Sequence, residues 1–192
     1  MAHDKKFWSG ERLLSVSAML VSLLTLAVFA YQTNLIRKQQ YKSVYPYLIM
    51  SNYYTGSLRY SFGITNNGIG PAMIDSIRVV TESGREYGDI LDYLRVQQIP
   101  RDSIWFVHST LYKGSLIAAG ESRDLVQMVN PKMLEDMGLD DMEGLPENDL
   151  SDARVLHGIL NNDSVTIEVH YRSIYDETWV TTFNQAPPVR EE

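Results

Sequence analysis

The sequence predicts an N-terminal transmembrane α-helix followed by a mainly-β domain, an Ig-like antiparallel sandwich with short helical insertions. Three observations carry this. Residues 13–31, LLSVSAMLVSLLTLAVFAY, run for 19 positions without charge, Pro or Gly, and at about 1.5 Å per residue such a helix matches the hydrocarbon thickness of a bilayer. Beyond residue 44 the apolar period changes from helical to alternating. Leu58, Tyr60, Phe62 and Ile64 alternate with Arg59, Ser61 and Gly63, and Val165, Ile167, Val169 and Tyr171 with Thr166, Glu168 and His170, the period of half-buried strands. The segments between are short and rich in Gly, Asn, Pro and Ser, which suits antiparallel turns.

Residues 1–12 form a short tail before the apolar span at 13–31. Residues 32–43, QTNLIRKQQYKS, continue in good helix formers until Pro46 stops them, so a basic helical stem follows the span and the helix runs from about residue 11 to about residue 40. Trp8 and Tyr31 bracket the span where amphipathic aromatics sit at an interface. Val28-Phe29-Ala30 fits the small-residue rule for signal cleavage, but the apolar run is long, Asp4 and Glu11 dilute the basic N-terminus, and no turn precedes the cut. A buried core helix would be amphipathic, and this one is apolar all round. The sequence therefore reads as an uncleaved single-pass anchor in contact with the lipid bilayer. Lys5, Lys6 and Arg12 on one flank balance Arg37, Lys38 and Lys42 on the other, and the acids on the first flank favour a cytoplasmic domain. Ala18, Ser22 and Thr25 share one helical face and are candidates for helix association.

The soluble domain is assigned to residues 44–184, with 185–192 as a C-terminal tail. Beyond the two alternating runs, residues 47–52, 74–81, 103–108, 122–129 and 178–183 read as strands, which makes seven. Helices are expected at 87–98, at 131–137 after the Asn130 cap, and at 151–160 with Ser151 as N-cap. In residues 64–74, ITNNGIGPAMI, the Asn-Gly step and Gly70-Pro71 make a rigid corner between strands. A phosphate loop there would need a following helix, whereas a β-type run follows and no Lys is present. Residues 171–179, YRSIYDETW, read as a tight hairpin with Trp179 on the core and Tyr175 exposed as a binding candidate.

Chemistry is constrained mainly by what is missing. Without cysteine there are no disulfides, thiol nucleophiles or thiolate metal ligands. Residues 1–42 carry six basic and two acidic side chains, net +4, and residues 43–192 carry eleven and twenty-two, net −11. Such a domain repels phosphate backbones, so a nucleic-acid partner is not expected, although a small ligand could still find a local pocket. His3, His108, His157 and His170 fit no metal frame, no G-x-S-x-G elbow occurs, and His170 falls on the solvent face of its strand. The acid-rich segment 135–152 does not match an EF-hand loop. Its interleaved Met133, Leu134, Met137, Leu139, Met142 and Leu145 suggest a partly packed flap, with Met137 and Met142 as adaptable binding-surface candidates. No catalytic, metal or cofactor-binding residue is assigned.

The single anchor, the RKQQ stem, YPYL, the NNGIGPA corner and the YRSIYDETW hairpin together resemble a class of uncharacterised bacterial membrane proteins with a C-terminal β-sandwich-like domain. The resemblance implies a single-pass protein of the bacterial inner membrane and transfers no catalytic residue. Function is therefore expected to be a non-enzymatic, membrane-tethered binding module with a protein partner or self-association. The alternatives are an oligomeric membrane effector or sensor that reads a ligand and, behind it, a membrane-anchored hydrolase.

Overall fold

The computed structural model describes residues 10–42, 44–97, 99, 104–136, 138 and 148–191. The chain divides into two units, residues 1–43 and 44–192. The described residues of the first form one helix, α1 (Gly10–Lys42), unbroken through Val28–Ala30. Its span Gly10–Gln40 is long and apolar enough to cross a membrane. Its apolar side chains are uncovered, Leu14 being 74% exposed and Phe29 63%. The hydroxyls of Ser15, Ser17, Ser22, Thr25 and Thr33 each donate to a carbonyl three or four residues back at 2.8–2.9 Å, so none presents an unpaired donor to an apolar phase.

The second unit is a sandwich of antiparallel sheets. The first sheet has the order β1-β2-β7-β5, from β1 (Leu48–Tyr53), β2 (Ser61–Asn66), β5 (Phe106–His108) and β7 (Ser122–Met128). The second has the order β10-β9-β8-β3-β4, from β3 (Ala72–Thr81), β4 (Glu86–Tyr87), β8 (Val165–Arg172), β9 (Thr178–Thr182) and β10 (Gln185–Arg190), with β6 (Leu116–Ile117) also on β3. The β3/β8 ladder runs from Met73↔Arg172 to Thr81↔Val165. Period-two alternation therefore sends Ile167, Val169 and Tyr171 inward, where all are fully buried. They meet Leu48, Phe62, Ile64 and Leu125 of the first sheet, and Phe62 sits edge to face on Phe183 with centroids 5.0 Å apart. Each such fully buried side chain contributes about 1.5–3 kcal/mol of transfer free energy.

Among the described residues three short helices accompany the sheets. α2 (Ile90–Val96) is capped by Asp89 and buries Ile90, Tyr93 and Leu94. α3 spans Pro131–Asp136, and α4 (Leu150–Leu160) lays Ala153, Leu156 and Leu160 into the core.

Several sequence expectations shift. Leu58 belongs to the β1–β2 turn, closed by Tyr60 N–H donating to Ser57 O at 3.0 Å, so its place in the alternation is accidental. Tyr87 is in β4 rather than α2. The cap of α4 is Asp149, not Ser151, because the Asp149 carboxylate accepts from Ser151 N and Asp152 N while Asp152 returns a bond to Asp149 N–H. Residues 185–190 are not a tail but strand β10. Pro187 and Pro188 disguise it, since proline donates nothing to a ladder, and β10 accordingly lies at the edge of its sheet.

Candidate functional site

The corner at residues 66–71 does more than join two sheets. Asn66 is fully buried. Its Oδ1 accepts from Tyr47 N at 3.1 Å and Gly68 N at 3.0 Å, and its Nδ2 donates to Gly70 O at 2.8 Å and Ile117 O at 3.1 Å. All four hydrogen-bonding positions of the amide are thus used. The segment 44–47 lies across this corner. Ile69 N and Gly70 N donate to Tyr45 O at 3.0 and 3.4 Å, and Asn67 N donates to Tyr47 O at 2.8 Å. The approach is so close that a Cβ on Gly68 would overlap Tyr45 O and Tyr47 N, and one on Gly70 would overlap Val44 O. The NNGIG sequence is therefore a latch on the first residues of the domain. Tyr45 also packs edge to face on Trp179, centroids 4.7 Å apart, and Trp179 packs against the core.

Beside the latch is the β8–β9 hairpin. Ser173 Oγ accepts from Tyr175 N at 3.2 Å and Glu177 N at 3.4 Å, and Asp176 takes the left-handed conformation at φ 59°. Tyr175 is exposed at the hairpin tip. The outer face of the second sheet carries paired charges. Arg172 lies 3.3 Å from Asp75 and 3.6 Å from Asp176, and Arg190 lies 3.1 Å from Glu177.

His170 is not the solvent-facing residue its strand position suggested. Its side chain is 19% exposed, with Nδ1 2.9 Å from Glu191 Oε1 and Nε2 3.7 Å from Glu168 Oε2. Ser76 lies opposite His170 across the β3/β8 ladder. Nε2 nevertheless has no hydrogen-bond partner among the described residues, so it does not engage the Ser76 hydroxyl as an activating base would. The pieces of a nucleophilic site are neighbours here without the bond that would join them.

Burial raises the pKa of the Tyr60 and Tyr171 phenols. The Ala118 N–H, followed by the Arg123 guanidinium, lowers that of Glu121. No group of three acidic or His side chains able to hold a metal occurs among the described residues.

Concavity is found at the opposite end of the sandwich. A shallow cleft of about 480 Å³ is lined by Gly56, Ser57, Leu58, Arg59, Asn130, Lys132 and Leu150. A smaller one, about 120 Å³, lies between α2 and β5 and is lined by Leu94, Arg95 and Phe106 among others. The larger cleft sits where the acid-rich segment leaves the domain through α3 and rejoins it at α4. Met133 and Leu134 of that segment are half-buried, whereas Met137 and Met142 lie outside the described residues.

Ala18, Ser22 and Thr25 lie along α1, and the Ser22 hydroxyl donates to Ala18 O. The sequence reading named Tyr175 but missed the group it belongs to, drawn from three separate loops and β6. Ile69, Tyr112, Leu116, Ile174 and Tyr175 are all exposed, between 40% and 69%. Pairing of β6 with Ala72 and Met73, and of Met73 with Arg172, places them at one end of the sandwich, the end that carries the latch. The available signal was an apolar Ile inside each turn, at Gly68-Ile69-Gly70 and Ser173-Ile174-Tyr175. No family model, curated protein or solved structure matches the chain.

Proposed function

We propose that the protein is a non-enzymatic, membrane-tethered binding module. Its single helix holds an Ig-like sandwich at the surface of a bacterial inner membrane, with the domain on the cytoplasmic side. The observation that carries this is α1 itself. Thirty-three helical residues with their apolar side chains uncovered need a non-aqueous phase, because at about 25 cal/mol per Å² such an exposed surface is strongly unfavourable in water. The helix continues past Ala30 to Lys42, which favours a retained anchor over a cleaved signal.

The binding role is assigned to the far end of the sandwich. There Arg59 and Lys132 flank an open cleft at the roots of the Met- and acid-rich segment, a combination suited to an adaptable protein contact. The experiment is capture of partners on the full-length protein in detergent, paired with a variant carrying Arg59→Glu and Lys132→Glu. A partner retained by the native chain and lost by the double variant supports the reading. Equal capture by both removes the cleft from it.

The small-residue face of α1 supports a second reading, an oligomeric membrane effector or sensor. The Ser22 and Thr25 hydroxyls are folded back on their own helix, leaving a slim surface at Ala18, Ser22 and Thr25 against which a second helix could pack. Mass measurement of the full-length protein in detergent separates the two: a monomer fits the tether, a defined oligomer fits the effector.

A further inference from the structure

We propose that the latch end of the sandwich is a bilayer-docking surface, through which the domain rests its loops in the lipid headgroup layer. This rests on the reading of α1 as a membrane anchor and goes beyond it, because a tether alone leaves the domain free to tumble.

The first observation is the clustering of exposed apolar side chains. Ile69, Tyr112, Leu116, Ile174 and Tyr175 come from the corner, the loop before β6, β6 and the β8–β9 hairpin, and all sit at one end. Branched aliphatics and tyrosines on neighbouring loop tips are the residue types that partition into the interfacial region.

The second observation says what covers them. The chain enters the domain at this same end: Val44 to Tyr47 lie on the latch, and only Ser43 separates Val44 from the last residue of α1. A bilayer spanned by α1 is therefore the apolar phase nearest to the rim along the chain.

Charge points the same way. Arg37, Lys38 and Lys42 precede the latch, Lys113 follows Tyr112 and Asp176 follows Tyr175 in the rim, and α3, which leads into the acid-rich segment, lies at the opposite end. A domain so arranged presents its apolar end to lipid and the end that carries α3 and the start of α4 to the aqueous side.

The test uses the absence of cysteine, which makes single-site labelling clean. Full-length Ile69→Cys, Ile174→Cys, Tyr54→Cys and Leu24→Cys variants carry a polarity-sensitive fluorophore in phosphatidylcholine–phosphatidylglycerol vesicles. Lipids bearing quenchers at the headgroup or deep in the acyl chain, and aqueous iodide, report position. The expected result is deep quenching at 24, several-fold stronger headgroup quenching at 69 and 174 than at 54, and iodide access at 54. Labels at 69 and 174 that are as open to iodide as 54 would overturn docking while 24 still reports a span. Labels at 69 and 174 shielded from iodide yet untouched by lipid quenchers would also overturn it, because protein then covers the rim. Loss of deep quenching at 24 would remove the anchor reading itself.

Discussion

Replacing Gly70 by Ala tests whether the corner is a latch or merely a turn. The new methyl would fall on the carbonyl of Val44, and the obstacle is backbone, which cannot rotate aside as a side chain can. Either the corner or the segment 44–47 must move away. Four hydrogen bonds then stretch together: Ile69 N and Gly70 N to Tyr45 O, Asn67 N to Tyr47 O, and Tyr47 N to Asn66 Oδ1. At about 1 kcal/mol net for each, with the longest, at 3.4 Å, weaker, the loss comes to about 3 kcal/mol. Movement of Tyr45 off Trp179 adds about 0.5–1.5 kcal/mol. Gly84→Ala is the control, because Gly84 sits at φ +78° and a methyl added there meets nothing within 4 Å. It should cost only the left-handed penalty, about 1–2 kcal/mol. The assay is urea unfolding of the full-length protein in detergent followed by near-ultraviolet circular dichroism, with m held common to both variants. A Gly70→Ala loss no larger than that of Gly84→Ala would refute the latch.

Other consequences follow from single groups. Tyr60→Phe removes a hydroxyl that donates to Asn52 Oδ1 at 2.8 Å and should cost about 1 kcal/mol. Tyr171→Phe should fall within about 0.5 kcal/mol of the parent, because Thr181 Oγ1 already donates to the nearby Leu48 O and the Tyr171 hydroxyl makes no hydrogen bond among the described residues; both are read by urea unfolding. The raised pKa of these two phenols adds stability that is complete below the ordinary tyrosine value of 10.0 and is lost as pH rises through the folded value. Ultraviolet titration should therefore show two tyrosines ionising only as the domain unfolds. Glu121, held below the ordinary carboxylate value of 4.5, contributes stability present above that value and lost as pH falls through the lower folded one. Glu121→Gln should flatten the acid limb of a stability–pH curve, and an unchanged limb would exclude that role. Ser22→Leu should leave the sandwich's near-ultraviolet spectrum unchanged and, under the effector reading, reduce the detergent-solubilised mass to that of a monomer.

How much of this was legible in the sequence depended on whether a signal was local. The apolar run from Leu13 to Tyr31 and the β8 alternation are local, and both elements stand where the pattern puts them. The β2 pattern misled by one turn, since Leu58 kept the period while the backbone had already turned at Ser57. β10 was hidden because its prolines argue against a strand unless the strand is known to be an edge, and edges are fixed only by the assembled sheet. The corner was recognised as a turn from Asn67-Gly68, yet its function as a latch depends on Val44–Tyr47 crossing it, some twenty residues earlier in the chain. His170 failed for the same reason: its partner Glu191 is twenty-one residues away, on a segment the sequence marked as tail.

The same distinction separates the two ends of the sandwich. Fastening at the latch end is built from buried, fully bonded groups, with Asn66 holding four partners and Gly68 and Gly70 leaving no room for a methyl. Such a joint tolerates little displacement without breaking several bonds together, so residues 44–47 are held as one piece with β2 and β3. At the far end, turns with open glycines at 56 and 84 and a shallow cleft leave room for adjustment. Conformational adjustment of the domain is therefore less costly at the cleft end than at the latch end.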